Sequence, residues 1–135
     1  MNELVEILLG VHQIDGVNAN SFLVIGDDGT LTLIDAGMSK DGKKILNYLH
    51  ANLSKKPSDV KTIILTHCHI DHVRAAYEVK KATGAKLVIH EMDADYLSGK
   101  QKMPSPKGAI GLMFKVMGPF FTFARVEPDQ RLNEN

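Results

Sequence analysis

Apolar positions along the chain recur with two different periods, and the change from one to the other predicts the order of its elements. Residues 5–14 are β-branched and partly alternating, and residues 21–25 repeat the pattern, so both stretches are predicted strands. Asp27-Asp28-Gly29 supplies turn chemistry between the second strand and residues 31–34, because Gly tolerates positive φ and Asp bonds its own backbone. Strands joined by so short a turn run antiparallel. From about residue 40 to 53 the period lengthens, and Ile45, Leu46, Leu49 and Leu53 form the stripe of an amphipathic helix. Pro57 closes that region, and residues 60–65 are an apolar run of the kind buried in a parallel sheet. A second helix is predicted over residues 73–83, stopped at Gly84, where a left-handed cap is favoured. Residues 86–89 return as a strand and residues 91–97 as a short helix.

Gly, Lys, Ser and Pro concentrate in residues 98–108, which predicts a surface loop. Ile110, Met113, Phe114 and Met117 then share one helical face, with Phe120, Phe121 and Phe123 close behind. Residues 126–135 are mostly polar or charged, and the pattern predicts no element there. Strand–helix–strand alternation without an internal repeat predicts an α/β layered architecture. The 135 residues suit a single domain with one sizeable core.

Composition narrows the function classes. The apolar set makes up 44% and the charged set 24% of the chain, with 16 Lys+Arg against 16 Asp+Glu. That is ordinary globular usage, and it argues against a disordered chain, a nucleic-acid-binding face or an anionic-lipid partner. The longest apolar run falls short of the ~18 residues of a spanning segment, so no membrane partner is expected. One cysteine, Cys68, and the lack of a basic, apolar leader predict a cytoplasmic protein.

The chemistry concentrates in Thr66-His67-Cys68-His69-Ile70-Asp71-His72. Four of the six residues 67–72 are metal donors: His67, His69, Asp71 and His72. In an extended segment residues 67, 69 and 71 point to one side, and His72 joins them if the backbone turns at Asp71, where the next helix begins. Imidazole with carboxylate suits Zn(II), Fe(II) or Mn(II). The end of a buried strand is also where open α/β sheets place their sites. Cys68 and Ile70 alternate to the other side and are predicted to pack inward. His12 and His50 read as ordinary surface histidines, and His90 as a histidine at a strand end outside the donor set.

Leu65-Thr66-His67-Cys68-His69-Ile70-Asp71-His72 resembles the His-x-His-x-Asp-His signature of the metallo-β-lactamase-fold hydrolases. Leu33-Ile34-Asp35-Ala36-Gly37 resembles the Asp-(Thr/Ala)-Gly that ends an early strand in that family, and residues 18–24 and 88–97 follow in the family's order. The resemblance runs over roughly residues 5–130. It implies the N-terminal half of an αββα sandwich, a mixed sheet flanked by helices, with residues 1–135 as one domain lacking its C-terminal half. It further implies that His67 and His69 bind a first metal and Asp71 and His72 a second. Asp71 is also the candidate catalytic carboxylate, and Asp35 braces the metal loop from beneath. The expected cofactor is two zinc ions, with iron or manganese as alternatives. The family continues with Gly-Gly after the signature where this chain has Arg74-Ala75, and its later ligands are absent, since no histidine follows His90.

A complete site of this kind hydrolyses an ester, thioester, lactone or lactam of a small-molecule substrate through metal-activated hydroxide. Two donors per metal fall short of the usual three, so the isolated 135 residues are expected to be weakly active or inactive. The alternatives are a non-catalytic half-domain serving binding or assembly, and an iron-dependent oxidoreductase of the same fold. A half-sandwich leaves one sheet face bare, and residues 110–121 add apolar surface. The expected partner is a second copy in a homodimer, or the missing half.

Overall fold

A turn at Leu9-Gly10 divides the first predicted strand into β1 (Val5–Leu8) and β2 (Val11–Gln13), which pair antiparallel. Gly10 sits at φ +74°, a conformation that favours glycine, and the run Leu8-Leu9 breaks the alternation that had suggested a continuous strand. The computed structural model describes residues 5–14 and 16–135, apart from the side chains of Val5, Pro119 and Phe121. The expectation for Phe121 as part of an apolar face therefore lies outside the described residues.

β3 (Phe22–Ile25) and β4 (Leu31–Ile34) form the expected hairpin, with Asp28 Oδ1 accepting from the backbone N–H of Thr30. Helix α1 (Asp41–Leu53) leads to β5 (Val60–Ile64), which lies parallel to β4. A short α2 (Ile70–Val73) and α3 (Ala76–Thr83) lead to β6 (Lys86–His90), parallel to β5. Helices α4 (Glu91–Ser98) and α5 (Gly108–Val116) precede β7 (Gln130–Leu132), parallel to β6. The result is one seven-stranded mixed sheet in the order β1-β2-β3-β4-β5-β6-β7, an α/β fold as expected.

Register explains the core. His12, Leu23, Leu33, Ile63 and Leu87 face one another across five strands and share one side of the sheet. Ile45, Tyr48 and Leu49 of α1, Val79 of α3 and Leu97 of α4 join that row in the buried core. The opposite row, Phe22, Ile34 and Ile64, is only half-buried.

Four differences from the sequence reading have physical causes. His12 is buried and not a surface residue, because its place in β2 points with Leu23 into the core. The helix predicted over 73–83 begins earlier and comes in two pieces, with the Ala75 N–H drawn to Gly37 O. The face of Ile110, Met113 and Met117 is exposed, and in α5 Gly111 is the buried residue. The polar C-terminal stretch carries β7, whose three residues are all exposed, so an edge strand forms without an apolar signal. Among the described residues no helix is long and apolar enough to cross a membrane.

Asp129 ties that edge strand in place. Its Oδ2 accepts from the Leu87 N–H at 2.7 Å and pairs with Lys80, while its own N–H donates to Leu87 O. The Leu87 hydrogen bond first, and Lys80 next, hold its carboxyl below the usual value of 3.8. A depressed folded-state pKa contributes stability above the unfolded value that is lost as pH falls through the folded one. Asp129→Asn should cost about 0.5–1 kcal/mol at pH 7, discounted for solvent exposure. Urea denaturation at pH 7 and pH 3 should show the gap between the two proteins narrowing at the acid end; a constant gap would remove the ionised carboxylate from the account.

Candidate metal centre

β4 and β5 end side by side, and their continuations make the site. The Asp35 N–H donates to Ile64 O, and the Ala36 N–H donates to His72 O at 2.8 Å, so residues 35–36 run against the loop carrying the histidines. Gly37 then bridges to Val73 at the end of α2. Asp35 adopts φ +59°, a left-handed conformation that Asp tolerates better than most residues. It lies buried beneath residues 66–72.

Its carboxylate accepts three hydrogen bonds. Oδ1 takes the Thr66 N–H at 2.8 Å, and Oδ2 takes the Thr66 hydroxyl at 2.7 Å and His72 Nδ1 at 2.9 Å. Thr66 Oγ1 also lies 2.8 Å from His67 Nδ1. A hydroxyl has one proton, and Thr66 gives it to Asp35, so toward His67 it acts as an acceptor. His67 and His72 are therefore both assigned the tautomer with the proton on Nδ1, which leaves each Nε2 with its lone pair.

The imidazoles are gathered. The ring centroids of His67 and His69 are 4.5 Å apart, and those of His67 and His72 are 4.2 Å apart. Asp71 Oδ2 lies 3.6 Å from His72 Nε2. His69 is exposed, and His67, Asp71 and His72 are half-buried, so the donors face outward. All four expected donors thus sit in one cluster, with Asp35 bracing it. Among the described residues, no group of three or more His, Cys, Asp or Glu side chains is arranged to hold a metal ion as it stands. The donor chemistry nevertheless suits a divalent metal, because two of three imidazoles have Nδ1 fixed by an acceptor and Nε2 free.

Cys68 packs inward and is 2% exposed. Burial first, then the negative charge of Asp93, pushes its thiol up to about 11, against the opposing effect of Arg125. A protonated core thiol is neither a ligand nor a nucleophile. His90 Nδ1 accepts from the Met92 N–H and caps α4.

Two contributors escaped the sequence reading. Asp93, in the first turn of α4, accepts the Cys68 N–H at 2.8 Å and pins the middle of the histidine loop. Thr66 relays between Asp35 and His67. Thr66 adjoins the motif and could have been suspected as a hydroxyl beside a ligand; nothing in the spacing signals Asp93. Arg74, where the resemblance leads one to expect glycine, donates through Nη1 to Phe120 O at 3.0 Å.

Beside the donors lies an open cavity of about 410 Å³, lined by His69 and Asp71 on the site side and by residues 103–106, Phe114 and Phe123.

Residues 14–133 match the family described as the Metallo-beta-lactamase superfamily. The probable metallo-hydrolase YflN of Bacillus subtilis is 31% identical over 116 residues, which is 83% of this chain and 43% of that protein. An exodeoxyribonuclease, WalJ of Streptococcus pneumoniae, is 37% identical over 76 residues, 56% of this chain and 27% of that protein. The chain thus spans less than half the length of these relatives. Among solved structures, the subclass B3 metallo-beta-lactamase BJP-1 of Bradyrhizobium japonicum superposes with a TM-score of 0.72 at 28% identity, covering 93% of this chain and 43% of that one. A metallo-beta-lactamase of Cronobacter sakazakii gives a TM-score of 0.78 at 21% identity, covering 97% and 48%. The second likeness shows the fold alone.

Proposed function

The chain belongs to the metallo-beta-lactamase superfamily, and on that premise we propose a metal-dependent hydrolase, with zinc as its metal, that cleaves an ester, thioester, lactone or lactam bond. His67, His69, Asp71 and His72 are this chain's share of the metal donors, His67 and His69 for one ion and Asp71 and His72 for another. The observation that carries the reading is the pair of Nδ1 contacts, from His72 to Asp35 and from His67 to Thr66, which assign both tautomers. Asp35 and Thr66 hold the Nδ1 protons of His72 and His67, so both Nε2 lone pairs are available in one cluster.

A bound divalent ion would supply Lewis acidity and lower the pKa of water toward about 7. The chain's own residues orient and hold protons. Asp35, fixed by three donors, keeps His72 from turning. The Thr66 hydroxyl keeps Nδ1 of His67 protonated and its ring in place. Asp93 holds the loop backbone at Cys68, between the two leading histidines. Asp71 Oδ2, half-exposed at the cavity, is the candidate carboxylate for orienting an attacking water or accepting its proton.

Calorimetric titration tests the reading. The 135-residue chain should bind zinc weakly, with binding abolished in His67→Ala/His69→Ala, and should turn over generic esters and lactams little or not at all. A longer protein containing this chain should hydrolyse such bonds and lose that activity to chelators. Retention of iron together with an oxygen-dependent activity would replace the hydrolase by an oxidoreductase. Robust chelator-sensitive hydrolysis by the 135 residues alone would show that fewer donors suffice.

A further inference from the structure

The cavity beside the donors has walls that are apolar apart from Ser105. Met103, Pro106, Phe114 and Phe123 enclose it with apolar surface, and no Lys or Arg lines it. A volume of about 410 Å³ falls within the ~300–1,000 Å³ of small-molecule sites, and an apolar wall with a few polar groups at one end is their usual composition. His69 and Asp71 are those polar groups.

The wall is also held in place. Arg74 Nη1 grips Phe120 O at 3.0 Å, fixing the turn before Phe123. The Arg125 guanidinium lies 4.6 Å over the Phe123 ring and donates through Nη1 to Tyr96 O at 2.9 Å. Phe123 also lines a second cavity, of about 460 Å³, together with Arg74 and Tyr77. Phe123 thus borders both hollows, with the Arg125 guanidinium over its ring and Arg74 holding the turn before it.

We propose that this cavity is an acyl subsite, taking the unbranched hydrocarbon chain of an uncharged ester, thioester or lactone while its carbonyl lies toward His69 and Asp71, with Phe114 and Phe123 setting the chain length accepted. The proposal rests on the hydrolase reading for the bond but not for the binding of the chain. The wall itself offers a polyanion no partner, because among the described residues no Lys or Arg lines it.

The test has two arms. In the first, butan-1-ol, hexan-1-ol and octan-1-ol are titrated into the protein and followed by NMR at the Met103 methyl and the Phe114 and Phe123 rings. Affinity should rise about fourfold per added methylene, and Phe123→Ala should flatten the series. Phe114→Ala serves as the second variant should Phe123→Ala fail to fold. In the second arm, a longer protein containing this chain is given p-nitrophenyl butyrate, hexanoate and octanoate; KM should fall with chain length in the wild type and lose that dependence in either variant. Alcohol binding at these rings without hydrolysis of any ester by the longer protein supports the subsite and sinks the hydrolase reading instead. Hydrolysis with a KM indifferent to chain length, or alcohols that perturb only the exposed Ile110 and Val116, overturns the subsite.

Discussion

Asp35→Ala is expected to unfold the site before it unfolds anything else, at a cost of about 3 kcal/mol of global stability and with loss of measurable zinc binding. The stability figure combines two effects. Removing the carboxylate leaves the Thr66 N–H, the Thr66 hydroxyl and His72 Nδ1–H without their acceptor, and each donor left unpaired costs about 1–3 kcal/mol where water cannot replace the partner. Thr66 is exposed and His72 half-buried, so water recovers part of that. Ala at φ +59° adds about 1 kcal/mol, because a left-handed backbone suits Asp better than Ala. Asp35→Asn separates bracing from proton placement. Asn keeps the backbone conformation and can still accept the Thr66 N–H. Its amide, however, offers a proton to His72 Nδ1, which must then accept, sending the imidazole proton to Nε2. Zinc affinity should fall by about 10–100-fold with most of the stability retained. Urea denaturation and zinc titration of both variants check this, and unchanged stability and affinity in Asp35→Ala would remove its bracing role.

How much of this was legible in the sequence depends on the range of the interaction. The hairpin β3–β4, helix α1, strands β5 and β6 and the cap at Gly84 follow from local periodicity and turn residues, and the structure shows them with shifts of a residue or two at their ends. The clustering of His67, His69, Asp71 and His72 was legible because they are neighbours in the chain. Asp35 was visible through the resemblance alone, since nothing within a few residues of it hints that the carboxylate will meet Thr66 and His72 across 31 and 37 positions. Asp93 was invisible for the same reason, reaching back 25 positions to Cys68. β7 was missed because an exposed edge strand buries nothing, so its pattern carries no apolar alternation; its place comes from Asp129 on Leu87 and Arg131 on Asp95. The break between α2 and α3 depends on Gly37, more than thirty residues upstream, whose carbonyl takes the Ala75 N–H. The helical pattern across 70–83 contains no breaker that would announce it.

Gly37 is accordingly where a single methyl group should do disproportionate damage. The residue sits at φ +72° between Asp35-Ala36 and the start of α1. A Cβ there would meet Asp41 Oδ2 and Val17 Cγ1 at 2.7 Å and Asp41 Cβ at 2.8 Å, all closer than real Cβ atoms approach their neighbours. Asp41 cannot swing away. It is fully buried, and its Oδ2 accepts from the N–H groups of Met38 at 2.7 Å and Asn18 at 3.2 Å. Its Oδ1 lies 3.3 Å from Lys44 Nζ. The backbone at residue 37 must therefore move, and it carries the bridge to Val73 and the hydrogen bond from Ala75 with it. Those contacts set α2, on which Asp71 and His72 stand. Gly37→Ala should cost about 3 kcal/mol, roughly 1 from the left-handed backbone and the rest from overpacking, and should weaken zinc binding although residue 37 offers no ligand. Gly84→Ala is the control. Its φ of +70° is nearly the same, but a Cβ there meets nothing within 4 Å, so the cost should be the backbone's alone, about 1 kcal/mol, with zinc affinity intact. Equal losses in the two variants by urea denaturation would mean that the crowding against Asp41 and Val17 is relieved without moving the metal loop.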